Sequence, residues 1–169
     1  PGYFEARQVK EELDASPEIS NGLSDVAIYF DYDADAAWNV QPTGEGLNYF
    51  QLIMDHYRTF RRLGLNVDFV HKNTEDFSGY KLISVVGAIH ISSDLISRIA
   101  NSMATLVFGP RTGARVGNMQ IPKNLPPQIN LVKSRILRVE TLPSNVSLEI
   151  DPVGRAGRYI ETIKLDNNA

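Results

Sequence analysis

The hydrophobic pattern changes period several times along the chain, and each change predicts an element. Residues 26–30 (VAIYF) are an unbroken run of strand formers, the pattern of a strand covered on both faces. From Leu47 the apolar positions recur at three- and four-residue steps, through Phe50, Ile53/Met54, Tyr57 and Phe60. Asn48, Gln51, Asp55, Arg58 and Arg62 fill the gaps. This spacing predicts an amphipathic helix that turns Phe50, Met54 and Tyr57 to a sheet. Gly64 supplies a left-handed helix end, and residues 65–70 begin a second strand. Strand, connection, helix and strand make one βαβ unit with parallel strands and a right-handed crossover. Its connection, residues 31–46, reads as a loop too long for a simple turn, and it holds the only Trp. Loops at the carboxyl ends of parallel strands are where such sheets place their functional groups.

The remaining segments extend this alternation. Residues 82–86 read as a third strand, Ser92-Ser93-Asp94 as a cap, and Leu95, Ile96 and Ile99 as the stripe of the next helix. Residues 105–108 read as a fourth strand closed by Gly109-Pro110. The fold class expected is α/β, a doubly wound open sheet. Residues 111–128, rich in Gly, Pro and basic side chains, read as irregular. Residues 135–141, 146–150 and 159–165 alternate apolar and polar positions, the pattern of half-exposed strands that extend the sheet or form a small antiparallel layer. At the other end, residues 3–15 predict a helix whose apolar stripe is only Phe4, Val9 and Leu13. So thin a stripe suits the tail of a preceding domain, giving boundaries of 1–22 and 23–169.

Composition narrows the chemistry. A chain of 169 residues suits one domain, and its net charge of −3 argues against a nucleic-acid platform. It contains no cysteine, which excludes disulfides, thiolate metal sites and a cysteine nucleophile. No apolar run reaches membrane-spanning length, and no signal-peptide pattern opens the sequence, which points to the cytoplasm. Pro1 and the end at Asn167-Asn168-Ala169 read as marks of a piece of a longer protein. Asp31, Asp33 and Asp35 have the opening spacing of a calcium loop, but Ala36 and Pro42 occupy the positions that need Gly and Glu. Asp31 and Asp33 could form a carboxylate pair for glycoside hydrolysis, but acids at a strand end more often cap amides or meet a basic side chain. His56, His71 and His90 share no ligand spacing, so no metal or other cofactor is expected. Gly109-Pro110-Arg111-Thr112-Gly113 could present amides to an anion, yet lacks the phosphate-loop ending and reads better as a turn with Arg111 paired to an acid. Gly-x-Ser-x-Gly is absent, and Asn145-Val146-Ser147 is only formally a glycosylation sequon. Trp38 is either tucked against the sheet or an interface anchor.

These segments also carry a resemblance. FDYDADAAW, a Pro- and Gly-containing link, LNYFQLIMDHYRTFRRLGLNVDFV, GYKLISVVGAIHISSDL and TLVFGPRTG resemble, in order and wording, the central domain of family-42 β-galactosidases. That trimerisation domain has a flavodoxin-like, class I glutamine-amidotransferase-like fold, a mostly parallel open sheet with additional C-terminal strands. The likeness covers residues 25–142 best. The helix at residues 3–15 similarly resembles the end of the (β/α)8 barrel that precedes the domain.

The resemblance implies a parent that hydrolyses terminal β-D-galactosides with retention, using two glutamates on a barrel that binds most of the substrate and lies outside this chain. It implies a homotrimer in which each central domain helps wall the neighbouring active site. Asp31, Tyr32, Asp33, Trp38, Asn39, Gln41 and Arg111 are then the candidate interface and site-walling residues, with no catalytic residue of their own. Enzymes of related fold use a cysteine nucleophile that this chain lacks. Three departures stand out: Ser102-Met103-Ala104 replaces the usual Gly-Gly before residue 105, the segment 98–105 is short, and Ala36 replaces a frequent aromatic. The family pattern also leaves room for final strands beyond Ala169. Two rivals remain, a stand-alone sugar or small-molecule binding module and a diverged amidotransferase-like enzyme.

Overall fold

The computed structural model describes residues 2–16, 22–151 and 154–166. Four parallel strands form the central sheet: β1 (Val26–Tyr29), β2 (Val67–Val70), β3 (Leu82–Val85) and β4 (Thr105–Phe108). Their order is β2-β1-β3-β4, with Ile28 opposite both Phe69 and Ser84. This is the flavodoxin-like order, with its switch point between β1 and β3. All four residues of β1 are buried because β1 is paired on both sides and covered on both faces, as the continuous apolar run predicts.

Alternation along the strands divides the core. Ala27, Tyr29, Ile83 and Val85 point to one face, where they meet Leu95 and Ile99 of α4 (Ser93–Asn101) and Ile129 of the irregular segment. Ile28 points to the other face and meets Ala34, Trp38, Tyr49 and Ile53. The Ser92 hydroxyl starts α4 by accepting the Leu95 N–H at 3.3 Å. Asn48 does the same for α3 (Tyr49–Arg62) through the Gln51 N–H at 2.8 Å. Gly64, at φ +80°, ends α3 as expected.

Residues 31–46 depart from the sequence reading. They are not a long loop, because Tyr32–Val40 form a helix, α2. Asp31 caps it, Asp33 and Asp35 sit in its first turn, and Ala34 and Trp38 are its buried side chains. The acids are spaced for a helix N-terminus, where they complement the backbone dipole. A second correction concerns α3. Its buried residues are Tyr49 and Ile53, with Tyr57 packed against the same cluster as expected, while Phe50 is 59% exposed, so the first turns of the helix face the sheet about one position away from the expected column.

Beyond β4 the chain is irregular to residue 133 and then antiparallel. β5 (Ser134–Thr141) pairs with β8 (Tyr159–Leu165), and β6 (Ser147–Ile150) pairs with β7 (Gly154–Gly157). These ladders form two separate two-stranded sheets rather than extending the parallel one. β7, with two glycines in four residues, carries no alternation to predict it. At the N-terminus α1 (Gly2–Ala15) buries none of its residues and leaves Phe4 and Leu13 exposed.

Candidate functional site at the carboxyl ends of the strands

The switch point between β1 and β3 is filled by the chain itself. Trp38, 2% exposed, lies over it and donates its indole N–H to the Gly87 carbonyl at 2.8 Å. Gly87 follows β3 at φ +68°, and a Cβ there would stand 2.8 Å from Cδ2 of Tyr49. Arg111 covers the opposite side of the indole, its guanidinium carbon 4.4 Å from the ring centre, and donates to the Gln41 carbonyl at 3.0 Å. The adjacent Thr112 hydroxyl donates to Val85 O at 2.9 Å and accepts the Gly87 N–H at 3.1 Å. The C-terminal arm closes the cluster. A Glu161 carboxylate oxygen accepts the Arg111 backbone N–H and the Tyr159 hydroxyl, both at 3.0 Å. Burial pushes the Arg111 guanidinium below its ordinary range and the Tyr159 phenol above its own, so Tyr159 stays protonated and can donate.

The structure separates the sequence-predicted residues into two groups. Trp38, Gln41 and Arg111 meet in this cluster. Tyr32, Asp33 and Asn39 are exposed on α2, with Asp33 paired to Lys72 at 2.8 Å. Asp31 lies at the helix start, accepting the Asp33 N–H at 3.1 Å and donating its own N–H to the Tyr49 hydroxyl at 2.9 Å. Burial raises the Asp31 pKa, opposed by the Asp33 amide bond. Asp31 and Asp33 are thus a cap and an ion-pair partner, as the second of the two sequence readings has it.

Of the two readings of Trp38, the structure has the tucked one, with Ile28, Tyr49, Val86 and Ile89 of the same chain around the ring. Arg111 does meet an acid, but through its backbone N–H, while its side chain stacks on Trp38. Sequence reasoning missed Glu161, Tyr159 and Gly87, which carry no local signal beyond lying in a strand or after one. Among the described residues no group of His, Asp and Glu is arranged to hold a metal, and no helix is long and apolar enough to cross a membrane.

A second feature lies at the β2 edge, on the α3 side of the sheet. A groove of about 720 Å³ is walled by Phe30, Tyr32, Phe50, Met54 and Phe69, with His71, Lys72 and Asn73 at its end.

The molecule is thus a flavodoxin-like sheet whose switch point is occupied by its own Trp and which carries an antiparallel arm. The chain belongs to the β-galactosidase trimerisation domain family of glycoside hydrolase family 42, whose model matches residues 24–167. It is 37% identical over 158 residues to a β-galactosidase of a Thermus species, covering 91% of this chain and 24% of that protein. With the β-galactosidase of Thermus thermophilus it shares 35% identity, covering 94% and 24% respectively. Among solved structures, the β-galactosidase of the psychrophilic Marinomonas ef1 superposes with a TM-score of 0.78 at 30% identity, over 94% of this chain and 25% of that one. The chain spans about a quarter of the length of the curated relatives it matches.

Proposed function

We propose that this domain is a non-catalytic assembly module of a cytoplasmic β-galactosidase that hydrolyses terminal β-D-galactosides. In this reading it joins three copies of the parent, and the exposed residues of α2, Tyr32, Asp33 and Asn39, help wall the neighbouring subunit's active site. Residues 1–22 are the tail of a preceding barrel or a linker. The observation that carries the proposal is the filled switch point. A nucleophile presented on a strand-to-helix turn needs a side chain at the positive-φ residue and open space above it. Here that residue is Gly87, where a Cβ would press against Tyr49, and its carbonyl and N–H are taken by the Trp38 indole and the Thr112 hydroxyl.

The test has two parts. The isolated chain should turn over no chromogenic β-galactoside, and titration with galactosides should give no saturable heat. The intact parent should sediment as a trimer with activity. Turnover by the chain alone would sink the non-catalytic reading. Saturable galactoside binding by the chain alone would favour a sugar-binding module instead.

A further inference from the structure

The turn at residues 109–113 could present amides to an anion, and the structure moves that capacity from backbone to side chains. Every amide from Arg111 to Arg115 already has an acceptor: Glu161, then the carbonyls of Gly109, Ala88, Arg111 and Ile89. These five residues therefore offer no nest of free N–H groups. Their guanidiniums are the opposite case. Arg111 is 6% exposed, yet among the described residues its guanidinium makes a single hydrogen bond, to the Gln41 carbonyl at 3.0 Å. Arg115 donates to Gln41 Oε1 at 3.2 Å and to Ala114 O at 3.0 Å. Two cations thus converge on the two oxygens of one uncharged residue. Among the described residues neither is ion-paired with a carboxylate. Glu161 uses a carboxylate oxygen on the Arg111 backbone and the Tyr159 hydroxyl instead.

Buried cations are ordinarily paired, because lost hydration exceeds what neutral acceptors return. The Trp38 face and the carbonyl end of α2 return part of it here, but neither carries a full negative charge. Beside the pair there is room for that charge. A pocket of about 320 Å³ is lined by Arg115 and Gln41, with apolar walls that include Ala36, Val40, Ile89 and Met119. Asp33 also lines it, but its carboxylate is held by Lys72 at 2.8 Å, so the pocket's unpaired charge is positive. A planar guanidinium matches the two oxygens of a carboxylate, and the Gln41 Nε2 group is a further donor beside it. We propose that this pocket is a carboxylate-recognition site. Arg115 and Gln41 Nε2 hold the carboxylate, and its apolar stem lies against Val40, Ile89 and Met119. Arg111 is a positioning residue that fixes Gln41 through its carbonyl. One chemistry here has two sources, a small free monocarboxylate or an Asp or Glu side chain from the rest of the parent. Neither source depends on which reaction the parent performs.

Titration of the chain with benzoate, followed by NMR at the Gln41 side-chain amide and the Met119 methyl group, tests the free source. Benzoate should shift these signals to saturation, while uncharged benzamide at the same concentrations should leave them in place. Arg115→Gln should weaken benzoate binding by about tenfold or more, since a charge-assisted pair is lost. Gln41→Ala, at an exposed position, should weaken it too without moving the unfolding midpoint. That set of results assigns a free carboxylate. Where the wild type binds no benzoate, the intact parent decides. Arg115→Glu should then lower the parent's thermal midpoint or weaken its self-association, with Arg115→Lys close to wild type. The midpoint of the chain alone should respond to neither substitution, which assigns a side-chain carboxylate. Benzoate bound equally by wild type and Arg115→Gln overturns the site, as an adventitious additive only. No benzoate binding together with a parent indifferent to Arg115→Glu also overturns it. So does an equal loss in the parent and in the chain alone, which would make Arg115 a local packing residue.

Discussion

The Arg111 guanidinium stacks on the Trp38 indole, 4.4 Å from the ring centre, and this contact ties a loop after β4 to a helix after β1. Arg111 holds φ +60°, a conformation unfavourable for a residue with a Cβ. The surrounding bonds retain it: Gln41 O accepts from the guanidinium and Glu161 from the backbone N–H. Arg111 therefore touches the arm, the end of α2 and the Trp that covers the sheet at once.

Trp38→Ala should cost about 3–5 kcal/mol, as expected for emptying a large buried site. Arg111→Lys keeps the charge but loses the stacked plane and the forked donor, and should cost about 1–2 kcal/mol. Denaturant unfolding of both variants measures this, with Trp38 emission reporting exposure of the ring in the Lys variant. A midpoint for Arg111→Lys equal to wild type would reduce the stack to an incidental contact.

The rotation of α3 gives a sharper contrast. Ile53→Ala should cost about 2–5 kcal/mol because its side chain is enclosed between helix and sheet. Phe50→Ala, measured where the chain is monomeric, should shift stability by no more than roughly 0.5 kcal/mol. Similar losses at both positions would put the helix back in the orientation its sequence spacing suggests.

These residues also show what the sequence can and cannot specify. β1 and α4 were legible because their runs and steps match one period, and Ser92 and Gly64 punctuate the helices in the usual chemical way, whereas Asn48 was read as part of a polar face and is a cap. α3 was legible as a helix but not in rotation over its first turns, since Tyr49/Ile53 and Phe50/Met54 are neighbouring columns that are both largely apolar. α2 was hidden because nine residues give only two buried positions, Ala34 and Trp38, and its acids suggested a loop. An Asp followed by two more acids and a pair of alanines is an N-terminal signature that could have revealed it. The site cluster was less legible still. Arg111 and Glu161 are 50 residues apart, and no local pattern joins them.

The departure at residues 102–104 has a measurable consequence. Ser102 caps α4, and Met103 then takes φ +60° while 92% exposed. Glycine reaches this left-handed conformation without a Cβ clash, which makes it the usual choice just past a helix. Met103→Gly should therefore stabilise the chain by about 0.5–1 kcal/mol, the relief of strain exceeding the extra backbone entropy of glycine when unfolded. A lower thermal midpoint than wild type would show that the Met side chain makes a contact of greater value than the strain.

His56 gives the fold a pH dependence whose sign can be worked out. It lies on the inner flank of α3 with Nδ1 3.1 Å from the Ser84 hydroxyl and its ring 6.4 Å edge-on to Phe60. Burial lowers its pKa from the ordinary 6.5, against a smaller upward pull from Asp55. As pH falls below that ordinary value, the unfolded chain takes up a proton that the folded chain still refuses. The stability contributed by neutral His56 is thus present above about pH 6.5 and is lost as pH falls through the lower, folded value. His56→Gln removes the titration while keeping an atom able to bond Ser84. Chemical unfolding between pH 7.5 and 5 should show wild type losing stability more steeply than His56→Gln, with carboxylates contributing equally to both. Parallel slopes for the two chains would mean that His56 titrates in the folded state as it does in water, and that its place beneath α3 is open to solvent.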